Sequence, residues 1–436
     1  MKVGVFLLKT NGHSPVDLII NNRRRIEKVF AVVLILSLIC IPMVGVNYDL
    51  TEYLPDDSPS AQALDIMEKE FTYPGMGRVL LEDVTLYEAK NIKDRIADVD
   101  GVDMVMWCDT TTNIYGSSQF IDYEDIEDYY KDGDAYMDII FLEKDSSDRT
   151  HRAVREIEQI VGDRGCVAGS AVSDTNLGPT INAEIARVMV LAVIIIFLIL
   201  TLTTTSWFEP VLFLSVLGIA IVINMGTNII FGEISFLSNA VGAVLQLACS
   251  MDYSIFLLHA FTEEKANGAA PEQAMANALR SAFSSIGASG ATTIVGFLAL
   301  ALMRFGIGPD MGLVLAKGIA LSLVTVLLLM PALILRFQDV VEKTRHRPFI
   351  PGQWRKFGEF AYKIRKPVLA VVLVIILPCY VAQGMADFTY GNEAVGNSPG
   401  TPVYEAEQKM NEKFGQSNMM LALVPLDGNI TEKAMT

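Results

Sequence analysis

The chain has 436 residues, of which 51% are hydrophobic, and its mean hydropathy is +0.37. These values exclude an ordinary soluble protein and indicate several membrane spans. The formal net charge is −16, and residues 47–185 alone hold about 31 acidic and about 11 basic residues. An acidic soluble block argues against nucleic acid as a partner, because nucleic-acid binding requires basic patches.

The first 46 residues contain a basic lead followed by an apolar run. The lead ends in Arg23-Arg24-Arg25, and the run Val29–Val46 is long enough to cross a bilayer. A signal peptide is the alternative, but the lead is long and no small-residue cleavage site follows the run. We therefore predict a cytosolic lead, 1–28, and a first transmembrane helix, 29–46, with the basic residues in the cytosol by the positive-inside rule.

Residues 47–185 form the acidic block and contain no run long enough to span. After a helix at Ala61–Phe71, the residue pattern predicts two strand–helix–strand units: strand Arg78–Leu81, helix Leu86–Val99 with Thr85 as its N-cap, strand Val102–Trp107, strand Tyr136–Leu142, helix Arg149–Val161 and strand Cys166–Ala168. Two such units in one small block predict a split βαβ, ferredoxin-like domain. Cys108 and Cys166 lie in this block, and their pairing requires an oxidising compartment and suitable geometry, so it stays open here.

Five further apolar runs occur in residues 186–336, and one more in 367–386. The predicted spans are Val188–Thr204, Pro210–Ile230, Ile234–Phe261, Ile286–Met303, Met311–Leu335 and Pro367–Met385. We expect Thr262–Arg280 to form a cytosolic connector helix, and 337–366 to form a basic cytosolic connector. The basic connector either contacts anionic lipid as an amphipathic helix or serves only as a positive-inside marker.

The segment after the seventh span resembles the segment after the first. Both contain a Ser-Pro pair, at Ser58-Pro59 and Ser398-Pro399, and each pair precedes a helical stretch that ends at a phenylalanine. We interpret the similarity as an internal repeat, with chance resemblance as the alternative. On this interpretation residues 387–436 are the truncated start of a second porter domain, with its first strand at Met419–Val424.

An acid lies inside the fourth predicted span, in the sequence Ser250-Met251-Asp252-Tyr253-Ser254. A carboxylate at the centre of a membrane helix costs about 2.5–3.5 kcal/mol on insertion scales, and such residues usually mark ion paths. We select Asp252 and Tyr253 as candidate proton-relay residues, with a buried acid that only fixes helix packing as the alternative. Ser289, Thr292 and Thr293 of the fifth span are candidates for hydroxyl groups that bond to this pair. The alternative is that they are small residues that only allow close helix packing.

Lys317, in the sixth span, is the nearest candidate for an ion partner of Asp252. From the span midpoints the two residues are separated in depth by roughly 15 Å, which a lysine stem does not close. We therefore expect Lys317 to point toward the outer membrane surface.

The order of a span, a βαβ block, five more spans and a restart resembles the resistance–nodulation–division (RND) superfamily of membrane transporters. Asp252-Tyr253, the Tyr53-Leu54-Pro55 exit from the first span and Pro331-Ala332-Leu333 look like its MMPL branch. The resemblance implies proton-driven export of lipids, hydrophobic drugs or other amphiphiles, in which external porter domains move the substrate and an intramembrane carboxylate exchanges protons. Spans two to six are also similar to a sterol-sensing domain.

Two departures from the family pattern affect these expectations. Members normally have two halves with a matching acid in each, and most of the second half is absent from this sequence. Tripartite-pump members usually carry two acids on the fourth span, and the single acid here favours the MMPL type.

The sequence therefore predicts an α-helical transmembrane bundle of about seven spans with an extracytoplasmic α+β ferredoxin-like porter domain. We expect a multi-pass protein of the plasma membrane with a cytosolic N-terminus. The resemblance also implies that it is not an enzyme and that protons are the coupling ions. No cofactor is expected, because no metal-ligand spacing or nucleotide-binding loop occurs. The expected partners are the lipid bilayer, an amphiphilic substrate, and the missing C-terminal half or a second copy. The alternative functions are a non-transporting lipid or sterol sensor and an accessory of protein secretion.

Overall fold

The computed structural model describes residues 15–71, 74–110, 126–346, 354–385 and 400–415. Its α-helices are α1 (Pro15–Asn21), α2 (Arg23–Cys40), α3 (Pro59–Phe71), α4 (Leu86–Ala97), α5 (Asp148–Val161), α6 (Ser170–Thr203), α7 (Glu209–Thr227), α8 (Phe236–Ala266), α9 (Pro271–Ala299), α10 (Ile307–Lys343), α11 (Trp354–Gln383) and α12 (Pro402–Phe414). Its strands are β1 (Gly45–Asn47), β2 (Met76–Leu81), β3 (Val102–Met106), β4 (Tyr130–Lys131), β5 (Asp134–Phe141), β6 (Gly165–Ala168) and β7 (Glu233–Ser235).

The chain divides into two compact units. Met1–Asn47 and Ile181–Phe388 form one, called here the helical unit, and Tyr48–Thr180 and Thr389–Thr436 form the other, called the sheet unit.

Seven helices in the described ranges are long and apolar enough to cross a membrane. These segments are Arg23–Met43, Ser170–Thr203, Glu209–Phe231, Phe236–Ala266, Pro271–Leu302, Ile307–Lys343 and Gly358–Gln383. The number confirms the prediction of seven spans and a multi-pass membrane protein.

Most of the spanning helices differ from their predicted bounds. α10 continues to Lys343 and α11 begins at Trp354, so helix extends into both ends of the predicted basic connector, 337–366. The second span starts at Ser170 rather than at Val188, because the first turns of α6 contribute Ala171 and Val172 to the core of the sheet unit. The separate connector helix expected at Thr262–Arg280 is wrong: α8 continues to Ala266, and α9 begins at Pro271 and continues into the fifth span. Proline is favourable at that first helical position because its missing N–H would have no intrahelical partner there.

The centre of the helical unit is formed by α7, α8 and α10. Their facing side chains include Val216, Leu257, Val326 and Met330, all of which are buried. A Cβ atom on Gly226 of α7 would lie 2.4 Å from the carbonyl oxygen of Ser37 on α2. The absence of a side chain at this glycine therefore allows α2 to pack closely on α7.

A two-stranded parallel sheet lies at one end of the helical unit. β1 follows α2 and pairs with β7, which leads directly into α8. Ser235 is the N-cap of α8, and Asp310 of α10 accepts hydrogen bonds from the Ser235 N–H at 2.9 Å and the Ser238 hydroxyl at 2.5 Å. These bonds fix the start of the helix that carries Asp252.

The sheet unit contains an antiparallel sheet with the strand order β3-β5-β2-β6, and β4 pairs with β5 beside it. Each predicted strand and helix of the two βαβ units is present, with ends within two residues of the predicted ones. Thr85 caps α4 as predicted, in a reciprocal pair of bonds with Glu88. Ile92 of α4 and Ile157 of α5 are buried in the core that also contains Trp107.

α12 packs in the same core, although the sequence division assigned residues 387–436 to a second domain. Val403, Ala406 and Met410 are buried there, and the ring of Phe414 lies 5.5 Å from that of Tyr136. The Ser398-Pro399 pair and the strand predicted at Met419–Val424 lie outside the described residues.

The ammonium group of Lys413 lies 2.7 Å from carboxylate oxygens of Glu82 and Asp134. Its hydrogen bond holds the pKa of the Glu82 carboxyl below its ordinary value. α12 is thus attached to the sheet unit by charge as well as by apolar packing.

The cysteines of the sheet unit are free thiols. Cys166 is in β6 and Cys108 follows β3, so they lie at opposite edges of the four-strand order. Strands are spaced about 4.8 Å apart, so these edges are separated by more than a disulfide can bridge. Burial raises the pKa of the Cys108 thiol to about 12, which keeps it protonated at neutral pH.

Candidate functional site

Asp252 lies near the middle of α8, and its side chain is exposed on the surface of the helical unit. The next residue, Tyr253, is only 5% exposed and belongs to the buried core. Consecutive residues of an α-helix point about 100° apart, so the two side chains face different directions. No hydrogen bond joins the two side chains among the described residues.

Asp252 belongs to an exposed stripe of α8. Ala248, Phe256 and His259 are also exposed, and these residues recur every three or four positions on one side of the helix. Across the described ranges of the chain, no side chain forms a hydrogen bond or an ion pair with Asp252. A carboxylate on the lipid-depth surface of a membrane helix is costly unless protein or water covers it. This face is consequently the candidate site.

The predicted hydroxyl residues lie on α9, which packs beside α8. Ser289 and Thr292 are exposed and Thr293 is half-buried. Thr292 donates to the carbonyl of Ala288 at 2.9 Å, and Thr293 donates to that of Ser289 at 3.1 Å. Both threonine hydroxyls therefore bond to their own helix, as is common for this residue type in membrane helices.

A buried amide network, which the sequence analysis missed, joins the three central helices. The side-chain amide of Gln246 on α8 donates to the carbonyl of Gly318 at 3.1 Å and to the hydroxyl of Ser322 at 2.9 Å, both on α10. Its oxygen accepts a bond from the Asn224 amide on α7 at 3.0 Å. The sequence does contain a signal for this network, because each of the three apolar runs includes polar residues, which need partners inside a membrane.

Lys317 contacts the end of α7 and not Asp252. Its ammonium donates to the carbonyl of Asn224 at 3.1 Å, the hydroxyl of Thr227 at 3.1 Å and the side-chain oxygen of Asn228 at 2.6 Å. All three acceptors are neutral, and the C-terminal end of a helix carries partial negative charge that favours a cation. This placement agrees with the depth argument against an ion pair with Asp252.

Two serines of α8 face the interior without a hydrogen-bond partner in the described residues. The side-chain oxygens of Ser250 and Ser254 are buried and one helical turn apart. Unpaired buried hydroxyls are sites where water molecules bind when space allows. α8 thus has an exposed carboxylate on one side and polar groups on its inner side.

Comparison with known proteins identifies the family. The family model of the MMPL family matches residues 52–368, which is most of the chain. The chain belongs to the MMPL family. Members of this RND-type family are membrane transporters.

Three relatives show the range of this MMPL chain's similarities. A putative membrane protein of Methanocaldococcus jannaschii is 38% identical over 106 residues, which are 24% of this chain and 26% of the relative. The sulfolipid-1 exporter MmpL8 of Mycobacterium tuberculosis is 25% identical over 284 residues, 60% of this chain and 25% of the exporter. The protein translocase subunit SecD of Acetobacter pasteurianus is 30% identical over 177 residues, 38% of this chain and 33% of that subunit. The matches thus cover between a quarter and a third of the length of these relatives.

Proposed function

We propose that this MMPL chain is part of a secondary active transporter that uses the proton-motive force to export lipids, hydrophobic drugs or other amphiphiles. The observation that carries the proposal is the exposed carboxylate of Asp252 midway along a membrane helix, without a bonding partner in the described residues. The relative named as a sulfolipid-1 exporter supports a lipid-like substrate. Protons are the coupling ion in this proposal, and no cofactor or enzymatic step is needed.

The coupling follows from the cost of charge in hydrocarbon. A carboxylate at lipid depth is unfavourable when ionised and much less so when protonated. Its protonation state therefore changes the stability of arrangements that do or do not admit water to the Asp252 face. Alternating access of this residue to the two sides would convert a proton gradient into helix movement.

We propose that the Asp252 face of α8 and the adjacent face of α9 are covered by the C-terminal half of the transporter or by a second copy of the chain. The small exposed residues of α9, including Ala288 and Thr292, permit the close approach of another helix. Ser289, Thr292 and Thr293 would then contribute to that interface. A partner in this position would also supply the cover that Asp252 requires.

The proposed orientation has a cytosolic N-terminus and an extracytoplasmic sheet unit. It is supported by Arg23-Arg24-Arg25 and Lys28 at the start of the first span. The sheet unit would be a ferredoxin-like porter domain, which its strand order β3-β5-β2-β6 and its two βαβ units support. On this proposal the protein resides in the plasma membrane.

The proposal is tested by export of a lipid substrate from cells that express the complete transporter. Asparagine has nearly the volume of aspartate but does not titrate, so Asp252→Asn should be inserted normally and abolish export. Tyr253→Phe removes only a hydroxyl and should weaken export less. Parental export by Asp252→Asn would contradict the proposal and favour a lipid or sterol sensor.

The similarity to SecD favours a second candidate function, an accessory role in protein secretion. This function predicts that loss of the protein delays the maturation of secreted proteins while lipid export continues. The two outcomes can be measured in the same cells.

A further inference from the structure

A second polar site lies in the helical unit, away from the Asp252 face. A cavity of about 420 Å³ lies where α7 begins and where α8 and α10 end. Its apolar lining includes Leu212, Phe213, Leu258, Phe261 and Ile334. This volume and the mostly apolar lining are typical of sites for small molecules.

Two hydrogen-bond acceptors line this cavity. Glu209, at the start of α7, is only 7% exposed. Its carboxylate accepts the Thr205 N–H at 3.1 Å and interacts with the Ser206 N–H, and it has no ion pair in the described residues. The side-chain oxygen of Gln338 on α10 is buried and has no hydrogen-bond partner there. A buried acid and an unpaired acceptor are both costly unless a donor is supplied.

The nearby basic residues do not supply that donor. Lys265 of α8 pairs with Glu342 of α10, so these two charges already match each other. Arg345, which also lines the cavity, and His346 lie near enough to interact electrostatically with Glu209, but neither forms an ion pair with it among the described contacts. The cavity therefore combines apolar walls with two acceptors to which no cationic group among the described residues donates a hydrogen bond.

We propose that this cavity binds an amphiphile with an ammonium head group. The ammonium would donate to Glu209 and Gln338, and the apolar body would pack on Phe213 and Phe261, whose ring faces attract cations. The proposal does not depend on proton coupling, because it concerns other residues than Asp252. The ammonium could come from a simple alkylamine or from the head group of a zwitterionic phospholipid, whose phosphate would then meet Arg345.

The purified full chain in a neutral detergent allows a direct test with octylamine as the probe and 1-octanol as its uncharged counterpart. Trp207 precedes the cavity-lining helix, so its fluorescence, isolated by comparison with Trp207→Phe, reports binding. Octylamine should bind at least tenfold more tightly than octanol. Glu209→Gln should remove this preference. Glu263→Gln, which removes an exposed acid of α8 outside the cavity, should leave it unchanged.

Because Glu209 also bonds to the preceding turn, Gln338→Leu provides an independent variant of similar volume. It should lower octylamine affinity several-fold and leave octanol affinity unchanged. Equal binding of the two probes to the parental chain, or full octylamine affinity in folded Glu209→Gln or Gln338→Leu, would overturn the proposal.

Short-chain phosphatidylethanolamine and phosphatidylglycerol in the same micelles distinguish the two sources of the ammonium. If the ligand is a phospholipid, phosphatidylethanolamine should compete with octylamine and phosphatidylglycerol should not. Arg345→Gln should then weaken the competition by phosphatidylethanolamine. Competition by neither lipid, with octylamine binding retained, supports a simple amine as the ligand. Competition by phosphatidylglycerol alone would contradict selection of an ammonium.

Discussion

Replacement of Gly226 by alanine is expected to disrupt the packing of α2 on α7. The added Cβ would lie 2.4 Å from the carbonyl oxygen, 2.5 Å from the Cα and 2.6 Å from the Cβ of Ser37. Two of these atoms belong to the backbone, so relief requires α2 to move as a helix. Overpacking of this kind costs roughly 1–3 kcal/mol or more, and alanine regains at most about 1 kcal/mol of helix propensity. We expect a net loss of about 1–2 kcal/mol.

Gly218→Ala provides a matched control on the same helix. No atom lies within 4 Å of a Cβ at this position, so only the gain in helix propensity, about 0.5–1 kcal/mol, should remain. The unfolding of both variants can be measured by circular dichroism as sodium dodecyl sulfate is added to mild detergent. The reasoning is refuted if Gly226→Ala is as stable as Gly218→Ala.

Two predictions concern the sheet unit and can be measured by denaturant unfolding of the full chain. Burial raises the pKa of the Asp145 carboxyl to about 6, so folding favours its protonated form. Its contribution to the free energy of unfolding should be complete below about pH 4 and fall by roughly 3 kcal/mol as the pH rises through 6. Asp145→Asn should lack this decline, and a variant with the same pH profile as the parental chain would contradict the prediction. Lys413→Met should destabilise the sheet unit by about 0.5–1 kcal/mol, because Asp134 loses this cation whereas Glu82 keeps its ion pair with Lys409. Lys69→Met removes an exposed ion pair and should leave the free energy of unfolding almost unchanged. Equal losses of stability in the two lysine variants would show that the Lys413 ion pairs do not hold α12.

The short-range pattern predicted the elements of the sheet unit because alternating strands and a capped helix are local signals. Thr85 and Glu88 form the bonds that their spacing indicates. The pairing of β1 with β7 was not predicted, because three-residue strands so far apart in sequence have no local signal. The same holds for α12, whose apolar face specifies a helix but not which sheet it covers.

The membrane spans were predictable from hydropathy, whereas their ends depended on tertiary contacts. The first turns of α6 contain polar residues, and Ala171 and Val172 attach these turns to the core of the sheet unit, which a hydropathy profile does not show. In α8 the sequence identified Asp252 as exceptional but did not show which side chain would face outward. That orientation is decided by packing against α7 and α10, through contacts such as those of Gln246. Glu209 and Gln338 also come together only in the fold, since they lie on separate helices.

The most direct test of the proposed function measures proton flux coupled to lipid export by the complete transporter in proteoliposomes. An imposed pH gradient should drive lipid movement in the parental protein and in Asp339→Asn, which removes an exposed acid of α10. Asp252→Asn should retain its fold while showing neither gradient-driven export nor export-linked proton flux. Gradient-driven export by Asp252→Asn at the parental rate would contradict the assignment of Asp252 as the proton carrier.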